Sequence, residues 1–152
     1  MTITGAGHGI MEAGHVGAGR DNSFGLNILL PFEQSANPVM TGNDKLMTMR
    51  YFFTRKLMFV KETDAVVLFP GGFGTHDEAF EALTLIQTGK VKPIPIIFFG
   101  KSFWERVVNF EALAEEGVIS ADDLKLFTYC ENAEEAWDYV CRHYAGTPDE
   151  IC

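Results

Sequence analysis

Glu78 closes the run Pro70-Gly71-Gly72-Phe73-Gly74-Thr75-His76-Asp77-Glu78, in which glycines lead into a carboxylate. An apolar β-branched and aromatic stretch, residues 64–69, precedes the run, and apolar residues at Phe80, Leu83 and Ile86 follow it in helical spacing. Glycines between a buried strand and a helix let backbone N–H groups approach an anion closely, and the helix N-terminus adds the favourable end of its dipole. A phosphorylated ligand suits such a loop. A second reading fits the same residues: Thr75 caps the helix and Glu78 reaches back to it, a capping box that needs no ligand. Spacing alone leaves the two open.

Upstream, Thr54-Arg55-Lys56-Leu57-Met58 sets a guanidinium beside an ammonium. A basic pair on a helix is ordinarily a solvated face. Thr4-Gly5-Ala6-Gly7-His8-Gly9-Ile10-Met11-Glu12-Ala13 is a second glycine-rich stretch running into a helix. His8 and His76, inside the two glycine stretches, read as substrate-range or pH variables and not as bases. Asp77 compensates the helix dipole in the first turn and can touch a ligand. His15 and His143 read as surface residues. Trp104, Trp137 and the phenylalanines read as core or subunit-interface residues remote from the glycine loops. Tyr51-Phe52-Phe53, just before Arg55, is the exception, lining a base pocket or a dimer contact.

The elements that must position these groups alternate. The pattern predicts strands at 1–4, 25–30, 64–69, 94–99 and 125–130. Helices fall at 9–18, 44–62, 75–88, 102–116 and 133–144, the fourth opened by a capping pattern at Ser102 and Glu105. Continuous apolar strands separated by helices imply a parallel sheet covered on both faces, an α/β, Rossmann-like, doubly wound fold. Residues 31–43 form the one extended loop, of a length often functional in a compact domain. No repeat or linker divides the chain, and 152 residues with 47% hydrophobic content suit a single domain with a substantial core.

A net charge of −9 argues against a protein that coats nucleic acid, which relies on a basic face. No apolar run approaches the roughly 20 residues that span a bilayer, and Met1 opens no signal-like segment, so the expected location is cytoplasmic. Cys130, Cys141 and Cys152 lack metal-ligand spacing and read as free thiols, the first two buried and the last on a frayed end.

The Arg55-Lys56 segment followed by the Pro70 to Glu78 run resembles the paired signature of the LONELY GUY family, cytokinin riboside 5′-monophosphate phosphoribohydrolases also called lysine decarboxylase-like. Similarity continues through the first glycine stretch, Gly25-Leu26-Asn27-Ile28-Leu29-Leu30-Pro31-Phe32-Glu33-Gln34 and Leu83-Thr84-Leu85-Ile86-Gln87-Thr88-Gly89-Lys90, so it covers nearly the whole chain. Family members carry a further strand and helix ahead of the first glycine loop. The chain is therefore expected to be shortened at its N-terminus, with a sheet edge that needs a partner.

The resemblance implies hydrolysis of the N-glycosidic bond of an adenine-type nucleoside 5′-monophosphate, such as AMP or a cytokinin riboside monophosphate. Arg55 and Glu78 match the family's catalytic arginine and glutamate. Gly71, Gly72, Phe73, Gly74 and Thr75 would hold the phosphate. His76, Asp77, Lys56 and Thr84 correspond to further substrate-binding positions, and Gly5 and Gly7 belong to the family's first loop. The scheme implies no cofactor, no metal and a homodimer. Two other classes stand beside it. One is a non-catalytic nucleotide or molybdenum-cofactor carrier on the same glycine framework, against which the retention of both Arg55 and Glu78 argues. The other is an amino-acid decarboxylase, which needs a pyridoxal Schiff-base lysine; no lysine lies in a recognisable setting for one.

Overall fold

The computed structural model describes residues 1–31 and 35–145. Cys152 and the loop residues 32–34 lie outside the described residues. The chain divides into two compact units, the first Met1–Glu62 and the second beginning at Thr63. Both are α/β with parallel strands, the Rossmann-like architecture that alternating strands and helices imply.

In the first unit, β1 (Thr2–Thr4), β2 (Ser23–Ile28) and β3 (Leu46–Met49) form a parallel sheet in that order, with α1 (Ile10–Ala18) and α2 (Phe52–Lys61) as its helices. The middle strand β2 is almost wholly buried. Gly25 is required within it, because a β-carbon there would lie 2.7 Å from Leu46 Cδ1 and 3.0 Å from Ala6 Cβ. Parallel pairing brings the loops after all three strands to one edge, where ligands of open α/β sheets bind.

The helix expected over 44–62 is a correction. Leu46–Met49 is strand, paired from Gly25↔Leu46 to Ile28↔Met49, and the helix begins only at Phe52. The segment extends a buried sheet, and that tertiary pairing outweighs its helical pattern. His15 is a second correction. Expected at the surface, it is fully buried.

In the second unit, β4 (Val66–Leu68), β5 (Ile96–Phe99) and β6 (Thr128–Cys130) form a parallel sheet with β5 in the middle. Its helices are α3 (Phe73–Gln87), α4 (Lys101–Val107), α5 (Phe110–Glu115) and α6 (Ala133–Tyr144). Alternate side chains of β5 supply the two cores. Ile96 and Phe98 pack with Leu68, Ala79, Ala82, Ile86, Trp104 and Phe110, while Ile97 packs with Cys130, Ala136 and Val140. Helices thus cover both faces of this sheet. Phe98 meets the rings of Trp104, Phe110 and Phe127 at 4.7, 5.3 and 5.1 Å between centroids. Truncating such a ring costs about 3–5 kcal/mol.

The helix expected over 102–116 is two helices. Val108 is extended, and the Asn109 side chain caps the second helix by accepting from the Ala112 N–H at 3.0 Å. Gly100, left-handed at φ 84°, opens α4, so the Ser102 and Glu105 capping pattern does not form. A strand expected to start at residue 125 starts at Thr128, after a 3-10 turn at Ala121–Lys125. Cys130 is the buried free thiol expected, raised by desolvation and then by Glu135. Cys141, expected free, is disulfide-bonded.

A capping box does form at Ser120 and Asp123. Asp123 Oδ2 accepts from the Ser120 N–H at 2.8 Å and from Gln87 Nε2 at 2.9 Å, which ties the turn to the end of α3. The Gln87 hydrogen bond, then those of Ser120, hold this carboxyl below its ordinary value of 3.8. A depressed folded-state value means that the stabilisation is present above the unfolded value and lost as the pH falls through the folded one. The difference in Tm between wild type and Asp123→Asn should therefore be constant near neutrality and close as the pH drops below 3.8, as followed by circular dichroism melts. A difference unchanged into strong acid would remove the carboxylate from this account.

Candidate functional site

Unit two builds the loop that carries Glu78. β4 ends at Leu68, and α3 begins at Phe73 with Gly72 as its N-cap and no side-chain cap. The Gly72 carbonyl accepts from the Thr75 and His76 N–H groups at 3.1 and 3.2 Å. His76 Nδ1 also donates to it, at 2.9 Å. Thr75 is therefore the third helical residue and not the N-cap. The capping-box account of Thr75 and Glu78 is overturned, because the helix starts three residues earlier than that account needs. The first-turn N–H groups of Phe73 and Gly74 have no intrahelical acceptor by position and no side-chain cap. With the helix dipole behind them, they form an anion-directed end.

Gly71 makes this turn possible. A β-carbon there would lie 2.2 Å from Thr75 Oγ1 and 2.8 Å from Thr75 Cβ. Phe73, 97% exposed, projects from the tip into solvent. Glu78 is half-buried, and both its carboxylate oxygens are shielded from water. Asp77 is exposed in the second turn. Thr84 lies six residues beyond Glu78 along α3, about 9 Å at the helical rise, and its hydroxyl donates to the Phe80 carbonyl at 2.6 Å.

Trp104 supports the loop from below, which sequence reasoning missed in placing it far from the glycines. Its buried indole N–H donates to the carbonyls of Leu68 and Phe99, each at 3.1 Å, tying together the ends of β4 and β5. Its ring lies 5.1 Å from that of His76. A tryptophan five residues beyond the end of a strand is the available signal, but only the fold shows that the indole turns back.

Unit one holds the other set. Arg55 on α2 lies over two rings of its own helix, 5.2 Å from the Phe52 centroid and 5.8 Å from that of Phe59. Gly5 lies against it, since a β-carbon there would sit 3.8 Å from Arg55 Nη1 and 3.2 Å from Met11 Sδ. The structure thus brings Arg55 together with the first glycine loop, and Phe52, of the aromatic triplet, with Arg55. Tyr51, Phe52 and Phe53 are exposed, and Lys56 is half-buried. Gly7 is buried, its N–H directed at Met11 Sδ at 3.3 Å. His8 is on the surface, 3.1 Å from Glu12. His143 is at the surface as expected, bonded to the Pro93 carbonyl.

The profile of a family described as "Possible lysine decarboxylase" matches residues 6–140. The probable cytokinin riboside 5′-monophosphate phosphoribohydrolase LOG4 of Oryza sativa subsp. japonica is 32% identical over 108 residues, covering 70% of this chain and 45% of that protein. Cytokinin riboside 5′-monophosphate phosphoribohydrolases LOG2 and LOG1 of Arabidopsis thaliana are 26% and 32% identical. LOG2 covers 65% of this chain and 49% of its own length, LOG1 59% and 44%. The chain spans about half the length of the curated relatives it matches.

Gly71 and Gly74 of the second loop should respond oppositely to a methyl group. Gly71→Ala collides with Thr75 and is expected to destabilise by about 1–3 kcal/mol. Gly74→Ala meets nothing within 4 Å and should stabilise by about 0.4–1 kcal/mol. Urea unfolding of both variants measures this; equal effects would contradict the close approach at Gly71.

Proposed function

Because the chain belongs to the LONELY GUY family, whose profile carries the lysine decarboxylase description, we propose that it hydrolyses the N-glycosidic bond of an adenine-type nucleoside 5′-monophosphate. Water adds to the ribose carbon that the base leaves. The products are the free base, which gains a proton, and ribose 5-phosphate.

One observation carries this reading: the uncapped start of α3, formed by the Gly71 to Thr75 loop, lies one to two turns from the half-buried carboxylate of Glu78. Cleavage of this bond develops oxocarbenium character on the sugar and negative charge on the base. Glu78 stabilises the sugar cation and orients or deprotonates the water. The loop N–H groups and the Thr75 hydroxyl hold the phosphate, with Asp77 and His76 at its edge. Arg55, kept on its aromatic support, positions the nucleotide and offsets charge near the departing base, with Lys56 beside it. AMP and a prenylated adenosine monophosphate are both within this substrate class.

Free base released from AMP and from isopentenyl-adenosine monophosphate, separated by chromatography, tests the proposal. Glu78→Gln should lower kcat by about a hundredfold or more while leaving KM within a few-fold, because the amide keeps the shape and loses the charge. Turnover unchanged in this variant, or no base from either nucleotide with wild type, would end the reading. The matching nucleosides, which lack the 5′-phosphate, should be used at least tenfold less efficiently. Each charge-assisted hydrogen bond lost is worth about 1.5–3 kcal/mol. Equal kcat/KM for nucleoside and nucleotide would refute the phosphate role of the loop.

A further inference from the structure

His15 is a fully buried imidazole that the proposed chemistry does not use, and Asn37, from the loop between β2 and β3, is a fully buried amide beside it. The Asn37 backbone N–H donates to the Ala6 carbonyl at 2.8 Å, and its side-chain Nδ2 donates to the Gly7 carbonyl at 2.9 Å. Its Oδ1 accepts from the Met40 N–H at 3.2 Å. The orientation of the amide is therefore fixed, since a carbonyl can face only its nitrogen.

The same Nδ2 lies 3.1 Å from His15 Nδ1, so that ring nitrogen must present its lone pair. The ring proton is then on Nε2, which donates toward the Phe24 carbonyl at 3.2 Å and Thr4 Oγ1 at 3.1 Å. Thr4 Oγ1 in turn accepts from the Ala6 N–H at 2.9 Å. Thr4, Ala6, His15 and Asn37 thus close a circuit at the first glycine loop.

What the circuit holds is strained. Ala6 has φ 59°, in the left-handed region that a residue with a β-carbon adopts only at a cost. Such a conformation persists only where the surroundings over-determine it. Here Thr4 binds the Ala6 N–H, Asn37 binds the carbonyls of Ala6 and Gly7, and the Ala6 methyl group packs in the space that Gly25 leaves. The neighbouring Gly5 is the residue against which the Arg55 guanidinium lies.

We propose that Asn37 and His15 are positioning residues: the neutral His15 imidazole fixes the Asn37 amide, the amide fixes the Ala6 and Gly7 carbonyls, and the loop so held sets the stop for Arg55. The kinetic half of this proposal rests on the phosphoribohydrolase reading. Its conformational half does not.

The test compares Asn37→Ala with Ser23→Ala in the full chain. Ser23 also makes buried hydrogen bonds in this unit, to the carbonyls of His15 and Gly19, but does not reach the imidazole or the loop. Two quantities are read: kcat and KM for base release per folded protein, and hydrogen exchange of the Ala6 N–H, whose own acceptor Thr4 neither variant touches. Asn37→Ala should lower kcat about tenfold or more with a smaller change in KM, since misplacing a catalytic group by about 1 Å suffices for such a loss. It should also speed Ala6 exchange about tenfold, by loosening local opening. Ser23→Ala should leave both within twofold. If the two variants behave alike, or Asn37→Ala changes neither quantity, the positioning role is overturned. Should Asn37→Ala fail to fold, Thr4→Val, which removes the Oγ1 of the circuit with little change of volume, carries the kinetic comparison, and kcat equal to that of Ser23→Ala would overturn the role. If wild type releases no base, the enzymatic reading falls while the exchange contrast still decides the conformational claim.

Discussion

The indole N–H of Trp104 donates at once to the carbonyls that end β4 and β5, and the second glycine loop depends on that bridge. A loop whose N–H groups are to receive a ligand cannot spend them on internal hydrogen bonds. Its rigidity has to come through its carbonyls and from the layer beneath. In unit two the layer is aromatic: Trp104 lies on Phe98 and beside His76, and His76 donates back to the N-cap carbonyl of Gly72. Unit one differs: Asn37 takes the carbonyls of Ala6 and Gly7, while Thr4 Oγ1 and Met11 Sδ take their N–H groups, so this loop is held from both sides by polar contacts. Losing either support leaves buried donors or acceptors unmatched, at about 1–3 kcal/mol each.

The charge of the chain gives this division a purpose. At −9 overall, the protein presents no general attraction to a nucleotide, so a phosphate has to be met by local dipoles and by particular cations. In the proposed reaction a carboxylate near a bound phosphate is repelled by it, and the positive end of α3, one to two turns before Glu78, offsets that repulsion. Arg55, on unit one, is the cation that the same proposal assigns to the departing base. The rings of Phe52 and Phe59 support its guanidinium without neutralising it.

The parts legible in the sequence are those written locally. Strand 64–69, the glycine run and the following helix occupy consecutive residues, so their periodicities and the glycine spacing suffice to place the loop. Leu46–Met49 was not legible, because its strand character comes from pairing with Gly25–Ile28, far back in the chain. His15 and Asn37 escaped for the same reason: a buried imidazole and a surface one have the same sequence signature until a partner 22 residues away is in place. Other misses had a local sign. Asn109 three residues before Ala112, and Ser120 three before Asp123, are cap patterns in plain view, and they divide or end elements that apolar periodicity alone had run together.

The description of the family as possible lysine decarboxylases can be weighed against where the lysines stand. Schiff-base chemistry needs an amine that is desolvated enough to lose its proton near neutrality. Lys61, Lys101 and Lys125 are half or more exposed and paired with Glu62, Glu105 and Asp122, so none of them is desolvated. Lys45 is committed to the Asp21 carbonyl, and Lys90 and Lys92 are exposed. Lys56 is half-buried and follows Arg55 directly on α2. The chemistry of the chain is concentrated elsewhere. Under the proposed hydrolysis, the shielded carboxylate of unit two and the guanidinium that unit one holds on aromatic faces would each answer a charge that develops when a glycosidic bond breaks, a demand that the removal of a carboxyl group from an amino acid does not make.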